Sequence, residues 1–351
     1  MILGDKLLYA LMRPLSRLLR RLAAAPPEIR RELQSRGVHV LPANFYSSVP
    51  TIAEVESSYE YRPGEEAAYL DPRIFDHDAL DQLLEELLPF AAEFAPPATG
   101  DPESGAFYWD NGYFTHSDAL AYYCCVRRFR PSTILEVGSG FSTLVAREAL
   151  RRNGTGRLVC VEPEPRGFLV RDSSIELVRA PAQSLDLSFF RSRLRDGDFL
   201  FIDSTHTVKT GSDCLHLYLR VLPRLERELI VHAHDIFLPF GMPKVWLVEQ
   251  QLFWTEQYLL LALLTDNPRA RLLWSSPYHR NFNTARLERF TAGKWTIGGG
   301  SLWFRYAGRA EVTAAGSEPA KNAAISRARS SGSSAEAKCP PLGIGVHRRT
   351  S

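Results

Sequence analysis

Long apolar runs are missing from this chain of 351 residues. Uninterrupted ones such as Tyr258–Leu264 fall far short of the roughly 18–20 residues that a bilayer-spanning helix needs, so a soluble protein is expected. Cysteine is scarce. Its five copies, with Cys124 and Cys125 adjacent in an aromatic run and Cys160 inside an apolar stretch, suit neither a disulfide framework nor a zinc site; buried, inert thiols in a reducing, cytoplasmic compartment are expected. An excess of one charge is lacking too, with 42 basic against 40 acidic side chains. Residues 1–31 hold seven basic and two acidic groups and residues 311–351 six and three, which leaves the central body at net −6. Such a body excludes nucleic acid as a partner, because phosphate neutralisation dominates that binding. What is present, 45% apolar and 11% aromatic residues, is ample material for a core.

Four segments can be told apart. In residues 1–25, leucines recur every three or four positions with Arg13, Arg17, Arg20 and Arg21 interleaved, which predicts a basic amphipathic helix interrupted at Pro14. Packing on the body, peripheral contact with an anionic membrane such as the inner membrane face, and a targeting peptide are all open for it. Residues 26–115, with a helix predicted over Asp78–Phe94 and many aromatics, read as an N-terminal helical lobe. From about Pro131, short apolar strands alternate with helical stretches, as in βαβ units and a parallel sheet. The predicted strands are Thr133–Val137, Leu158–Glu162, Ile175–Arg179, Phe199–Asp203, Leu229–His234, Arg271–Ser275 and Gly300–Tyr306; helices are predicted over Ser142–Arg152, Ser188–Arg195 and Thr210–Arg227. This domain takes residues 116–308. Residues 309–351, with almost no large apolar side chain, are expected to be disordered.

The first strand runs into a glycine turn, Glu136-Val137-Gly138-Ser139-Gly140-Phe141-Ser142-Thr143, and then a helix. Doubly wound folds bind nucleotides at such turns, where the backbone can approach the ligand and the helix N-terminus offers free N–H groups. Glu162 ends the second strand, 26 positions after Glu136, where a carboxylate can accept bonds from both ribose hydroxyls. A nicotinamide dinucleotide would want a small residue at Thr143, and Glu136 would repel its pyrophosphate. The same acid suits the ammonium of S-adenosyl-L-methionine, which is the cofactor this turn favours.

These residues, with Phe201-Ile202-Asp203-Ser204-Thr205-His206 and Val231-His232-Ala233-His234-Asp235, resemble the class I S-adenosylmethionine-dependent methyltransferases. The resemblance is to the bacterial group with a small-molecule methyltransferase domain of the family 24 type, and covers roughly residues 105–306. It implies an α/β fold, a doubly wound Rossmann-like sheet that is mostly parallel with an antiparallel last strand. It further implies that Glu136, Gly138, Ser139, Gly140 and Ser142 bind the methionine end, with Glu162 on the ribose, Gln183 near the adenine and Asp203 beside the sulfonium. Ser142 stands where the family has a third glycine.

Methyl transfer to a hydroxyl needs alignment and removal of a proton. Asp203 and Asp235 end two strands expected to be adjacent, with His206, His232 and His234 close by. By resemblance to catechol-type enzymes, Asp203 and Asp235 could hold Mg2+ or another divalent cation, but Ile236 replaces the asparagine of that pattern, so a histidine or another acid must complete the site. A metal-free mechanism with His206 or His234 as base is equally compatible. Asp110–Phe114 and Trp254, Glu256 and Tyr258 are candidates to shape the acceptor pocket. The expected function is O-methylation of a saccharide or other small-molecule hydroxyl. A non-catalytic nucleotide-binding module and an NAD-dependent oxidoreductase are the alternatives.

Overall fold

The computed structural model describes residues 3–114, 116–293 and 296–308; the C-terminal stretch from 309 onward, expected to be disordered, lies outside the described residues. The N-terminal part is helical: α1 (Leu3–Ala23), α2 (Pro27–Ser35), α3 (Ile52–Ser57) and α4 (His77–Ala91). Then follow α5 (His116–Phe129), β1 (Thr133–Val137), α6 (Phe141–Asn153), β2 (Arg157–Val161), α7 (Gly167–Val170), β3 (Ile175–Val178), α8 (Leu187–Arg193) and β4 (Asp198–Ile202). After β4 come α9 (Asp213–Leu215), β5 (Leu229–Ala233), α10 (Lys244–Val248), α11 (Glu256–Leu264), β6 (Ala270–Ser275), α12 (Ser276–Phe282), α13 (Thr284–Phe290) and β7 (Leu302–Tyr306).

The seven strands form one sheet in the order β3-β2-β1-β4-β5-β7-β6. Neighbours are parallel from β3 through β5, and β7 runs antiparallel to both β5 and β6. Central strands such as β1 and β4 are buried at every position because helices cover both faces, which is why they read as near-continuous apolar runs. Side chains alternate between two cores. Ile134, Cys160, Phe199, Phe201 and Trp303 face α5 and α6, whereas Leu135, Val137, Leu200, Ile202 and Val231 face the opposite layer with Phe190 and Leu260. The order of strands reverses between β1 and β4, and ligand sites in open α/β sheets lie in the crevice at such a point.

Three local expectations are corrected. Pro14 does not interrupt α1, which runs through it as one helix that lacks only the backbone donor proline removes. The single helix predicted over Thr210–Arg227 is instead α9, a π-helical turn at His216–Val221 and a 3₁₀ turn at Leu222–Arg224, where Pro223 cannot continue a regular helix. The last strand starts at Leu302 rather than Gly300, because Gly298–Gly300 wrap Asp118 of α5. Its carboxylate accepts the N–H groups of Gly300 (2.8 Å) and Ser301 (3.3 Å), and a Cβ on Gly299 would fall 2.0 Å from it.

Candidate active site

At the end of β1 the chain turns sharply through Gly138, whose φ of +81° favours glycine and whose added Cβ would lie 1.7 Å from the carbonyl oxygen of Asp203. The turn is held from beneath by Glu136. Its fully buried carboxylate accepts bonds from Tyr122 of α5 (2.9 Å) and from the Thr143 hydroxyl (2.5 Å), which itself accepts the Gly140 N–H at 3.1 Å. Burial pushes the Glu136 carboxyl up to about 7, against the lowering effect of the Thr143 and Tyr122 bonds and with Asp203 adding to the rise. Thr143, where a dinucleotide site would want a small residue, is thus the pin that closes the turn. Ser142 is buried at the start of α6, and space beside Gly140 is open, with no atom within 4 Å of a Cβ built there.

Glu162 follows β2, and its oxygens accept the N–H groups of Ser139 (3.2 Å) and Glu164 (2.9 Å), which aims it across the turn. A carboxylate has about four acceptor positions, so capacity remains for a diol. Gly138, Glu162, Ala182, Gln183, Asp203 and Asp213 line one cleft of about 300 Å³ at the carboxyl edge of the sheet. Gln183 is exposed at its rim.

The second group of predicted residues meets just past β4 and β5. The His206 ring places Nε2 3.3 Å from Asp203 Oδ1 and 3.7 Å from Asp235 Oδ2, while Nδ1 lies 2.9 Å from Glu256 Oε2. Glu256, 1% exposed, takes a further bond from the Tyr218 hydroxyl at 2.6 Å. The loop carrying His206 is locked to the start of α11, since the His206 carbonyl accepts the N–H groups of Thr255 (2.9 Å) and Glu256 (3.1 Å), and Trp254 packs on the imidazole with ring centres 4.4 Å apart. Both His206 (φ +55°) and Asp235 (φ +53°) occupy the left-handed region, a strain that non-glycine residues keep only where their surroundings impose it.

The charges are strongly coupled. Burial works against a charged His206, but its bonds to Asp203 and Glu256 prevail and raise it to about 10. Asp203 is held below the usual carboxylate range despite burial, because His234 and His206 face it; Asp235 is pushed up by its own burial and by Asp203. His234, with Nε2 3.9 Å from Asp235 Oδ1, loses to burial and gains more from Asp203 and Asp235, so that it titrates above its ordinary value. His232 is different. Fully buried against Phe201 and Trp303, with Nε2 on the Ser301 hydroxyl at 2.8 Å, it is driven well below the ordinary range and stays a neutral core group.

One ligand atom each from Asp203, His206 and Asp235 lie within 4.8 Å of one another, a donor set that suits a divalent cation. Glu256 on the far nitrogen directs Nε2 inward, as outer carboxylates do for metal-ligating histidines. The sequence had offered Glu256 only as a pocket residue; fifty positions separate it from His206, and no local pattern announces the pairing. Tyr122, Thr143 and Asp118 likewise went unsingled as site supports. Of the proposed acceptor-side residues, Phe114 reaches His234 with ring centres 4.9 Å apart, whereas Asn111 spends its side chain on the backbone of Tyr108, Tyr113 and Phe114. Trp254 and Tyr258 line a further cavity of about 180 Å³ with Glu54, Tyr61 and Met242.

A methyltransferase domain family matches residues 135–236, a span from β1 to just past β5 that contains the turn, Glu162, Asp203, His206 and Asp235. An uncharacterized protein of Archaeoglobus fulgidus is 32% identical over 162 residues, covering 43% of this chain and 72% of that protein. Residues 135–236 therefore form a methyltransferase domain, consistent with the class I S-adenosylmethionine-dependent enzymes. Among solved structures, the O-methyltransferase from Bacillus cereus in complex with SAH shares 16% identity over 65% of this chain and 91% of that one, at a TM-score of 0.33. The O-methyltransferase TomG from Streptomyces achromogenes, in complex with SAM, shares 16% over 67% and 92%, at 0.26. The strand order and antiparallel β7 are those of a methyltransferase sheet, and the oxidoreductase alternative is set aside.

Proposed function

We propose that this methyltransferase methylates a hydroxyl group of a small molecule, at a site where Asp203, His206 and Asp235 hold a divalent cation. The carrying observation is the His206 imidazole, fixed by Glu256 on one nitrogen and turned with the other toward two carboxylates at adjacent strand ends. Gly138, Ser139, Gly140 and Ser142 form the cradle for the methionine end of S-adenosylmethionine, with Glu136 beneath it as the counter-charge for the ammonium. Glu162 receives the ribose hydroxyls and Gln183 borders the base. Bound there, the cofactor supplies a methyl group on a sulfonium. Asp203, whose carbonyl abuts Gly138, joins this cradle to the acceptor side.

Asp203, His206 and Asp235 would hold the cation, which would supply a lowered pKa to an acceptor hydroxyl. Both nitrogens of His206 are engaged, which leaves His234 Nε2 as the place where the hydroxyl proton goes. Despite its burial, His234 titrates above its ordinary value, because Asp203 and Asp235 face it, which strengthens it as the proton acceptor. Phe114 and Trp254 flank this region with aromatic surface, and a saccharide is the acceptor class we favour among small molecules.

The test is methyl transfer with product detection on a panel of saccharide and phenolic hydroxyls, with and without a chelator. Chelation should abolish turnover and Mg2+ or Mn2+ should restore it, while Asp203→Ala and Asp235→Ala lose activity. His234→Ala should slow the reaction by about 10²–10⁴-fold with S-adenosylmethionine still bound. Turnover indifferent to chelation would remove the cation, and full activity in all these variants would overturn the site. Cofactor binding without any turnover would return the chain to a binding module.

A further inference from the structure

We propose that α1 is a docking helix that seats this protein on an anionic lipid surface. Every residue from Tyr9 to Arg21 is exposed, including Leu11, Met12, Leu15, Leu18 and Leu19, so the apolar side of the helix rests on nothing. At about 100° per residue these five side chains fall within an arc of about 120°, and Arg13, Arg17, Arg20 and Arg21 fall within about 100° on the opposite side. None of these arginines forms an ion pair among the described residues. Near the end of the helix, Leu22 borders a small cavity together with Leu33 of α2 and Val38 just beyond it. Fourteen of the twenty exposed large apolar side chains among the described residues precede position 60, which gathers on one part of the chain more apolar surface than single scattered residues explain.

Charge decides the occupant. Residues 1–31 carry seven basic and two acidic groups, against a net −6 over residues 32–310, so an anionic surface attracts this segment and repels the body. Leucines on one side and arginines on the other is the pattern of a helix lying in a membrane interface, its apolar face in the acyl boundary and its cations among the headgroups. No described helix is long and apolar enough to cross a membrane, so the association is peripheral. It is independent of the methyl-transfer site.

The experiment is co-sedimentation of the full chain with phosphatidylcholine vesicles, pure or with about a third phosphatidylglycerol. Binding should require the anionic lipid and weaken as salt rises. Arg13→Glu/Arg17→Glu/Arg20→Glu should lower partitioning by about 100-fold or more, each cation near such a surface contributing severalfold. Leu15→Ser/Leu18→Ser should lower it as well, and both variants should keep the parent melting temperature. Sedimentation with neither vesicle, or equally with both, would overturn the proposal. So would a dimer in light scattering that depends on Leu15 and Leu18, since a second copy would then cover the face.

Discussion

Two carboxylates in this protein sit where a single atom's change is informative. Folded Glu136 titrates near 7 against an ordinary 4.5, so the folded chain binds the extra proton between those values. The fold therefore gains nothing from ionising this group: its contribution is intact below pH 4.5 and is lost as the pH rises through 7. Glu136→Gln should flatten that decline, measured as melting temperature between mildly acidic and mildly alkaline buffer. An ammonium above the turn favours the ionised acid, so binding of S-adenosylmethionine should tighten up to about pH 7 and release a proton. Calorimetry in buffers of different ionisation enthalpy reads that proton, and in Glu136→Gln it should be absent. Proton-free binding by the parent would mean that Glu136 does not sense the cofactor. Glu256 is tested through His206: Glu256→Gln should weaken Mn2+ binding by about 10–100-fold, as loss of an outer partner typically does. Unchanged affinity would take His206 out of the ligand set.

At the scale of elements, the two glycines of the turn should behave oppositely. A Cβ on Gly138 meets the Asp203 carbonyl at 1.7 Å in a left-handed residue, so Gly138→Ala should destabilise the whole fold; Gly140 faces open space, so Gly140→Ala should keep its melting temperature and lose cofactor affinity. Equal melting temperatures for the two variants would contradict this account of the turn. The strands that frame it were readable because they are buried on both faces and appear as apolar runs, and Asp203, His234 and Asp235 were placed by the rule that such sheets work at their carboxyl edge. Other parts were not readable for equally physical reasons. From Ala119 to Val126, α5 is buried on every side, so it shows no apolar stripe, and its Asp118 and Tyr122 gave no sign that they support the last strand and Glu136. The π-helical turn at His216–Val221 carries Tyr218, which bonds Glu256; that detour serves a contact 38 residues distant, and nothing in the local sequence encodes it.

Among the described residues, α4 and the segment before it are bound to the sheet more tightly than the composition of the segments suggests. Leu83, Leu84 and Leu87 of α4 belong to the same buried cluster as Ile134, Phe201 and Trp303, while Phe75 and Leu80 enter the cluster on the other face of the sheet. Asp81 of the same helix bonds Asn283 and Arg286 at α13, and Glu60 accepts the Tyr258 hydroxyl at 3.1 Å beside the cavity that Trp254 lines. A segment that shares both cores of a sheet has no interior of its own to melt separately. Calorimetry of the protein should accordingly show one cooperative transition, which S-adenosylmethionine shifts upward as a unit by binding only the folded state. Leu84→Ala, at a fully buried position, should cost about 2–5 kcal/mol and lower that single transition while the cofactor-induced rise persists. If residues 26–115 were a lobe with independent stability, two transitions would appear; the leucine variant would move the lower one alone, and the cofactor would act on the other.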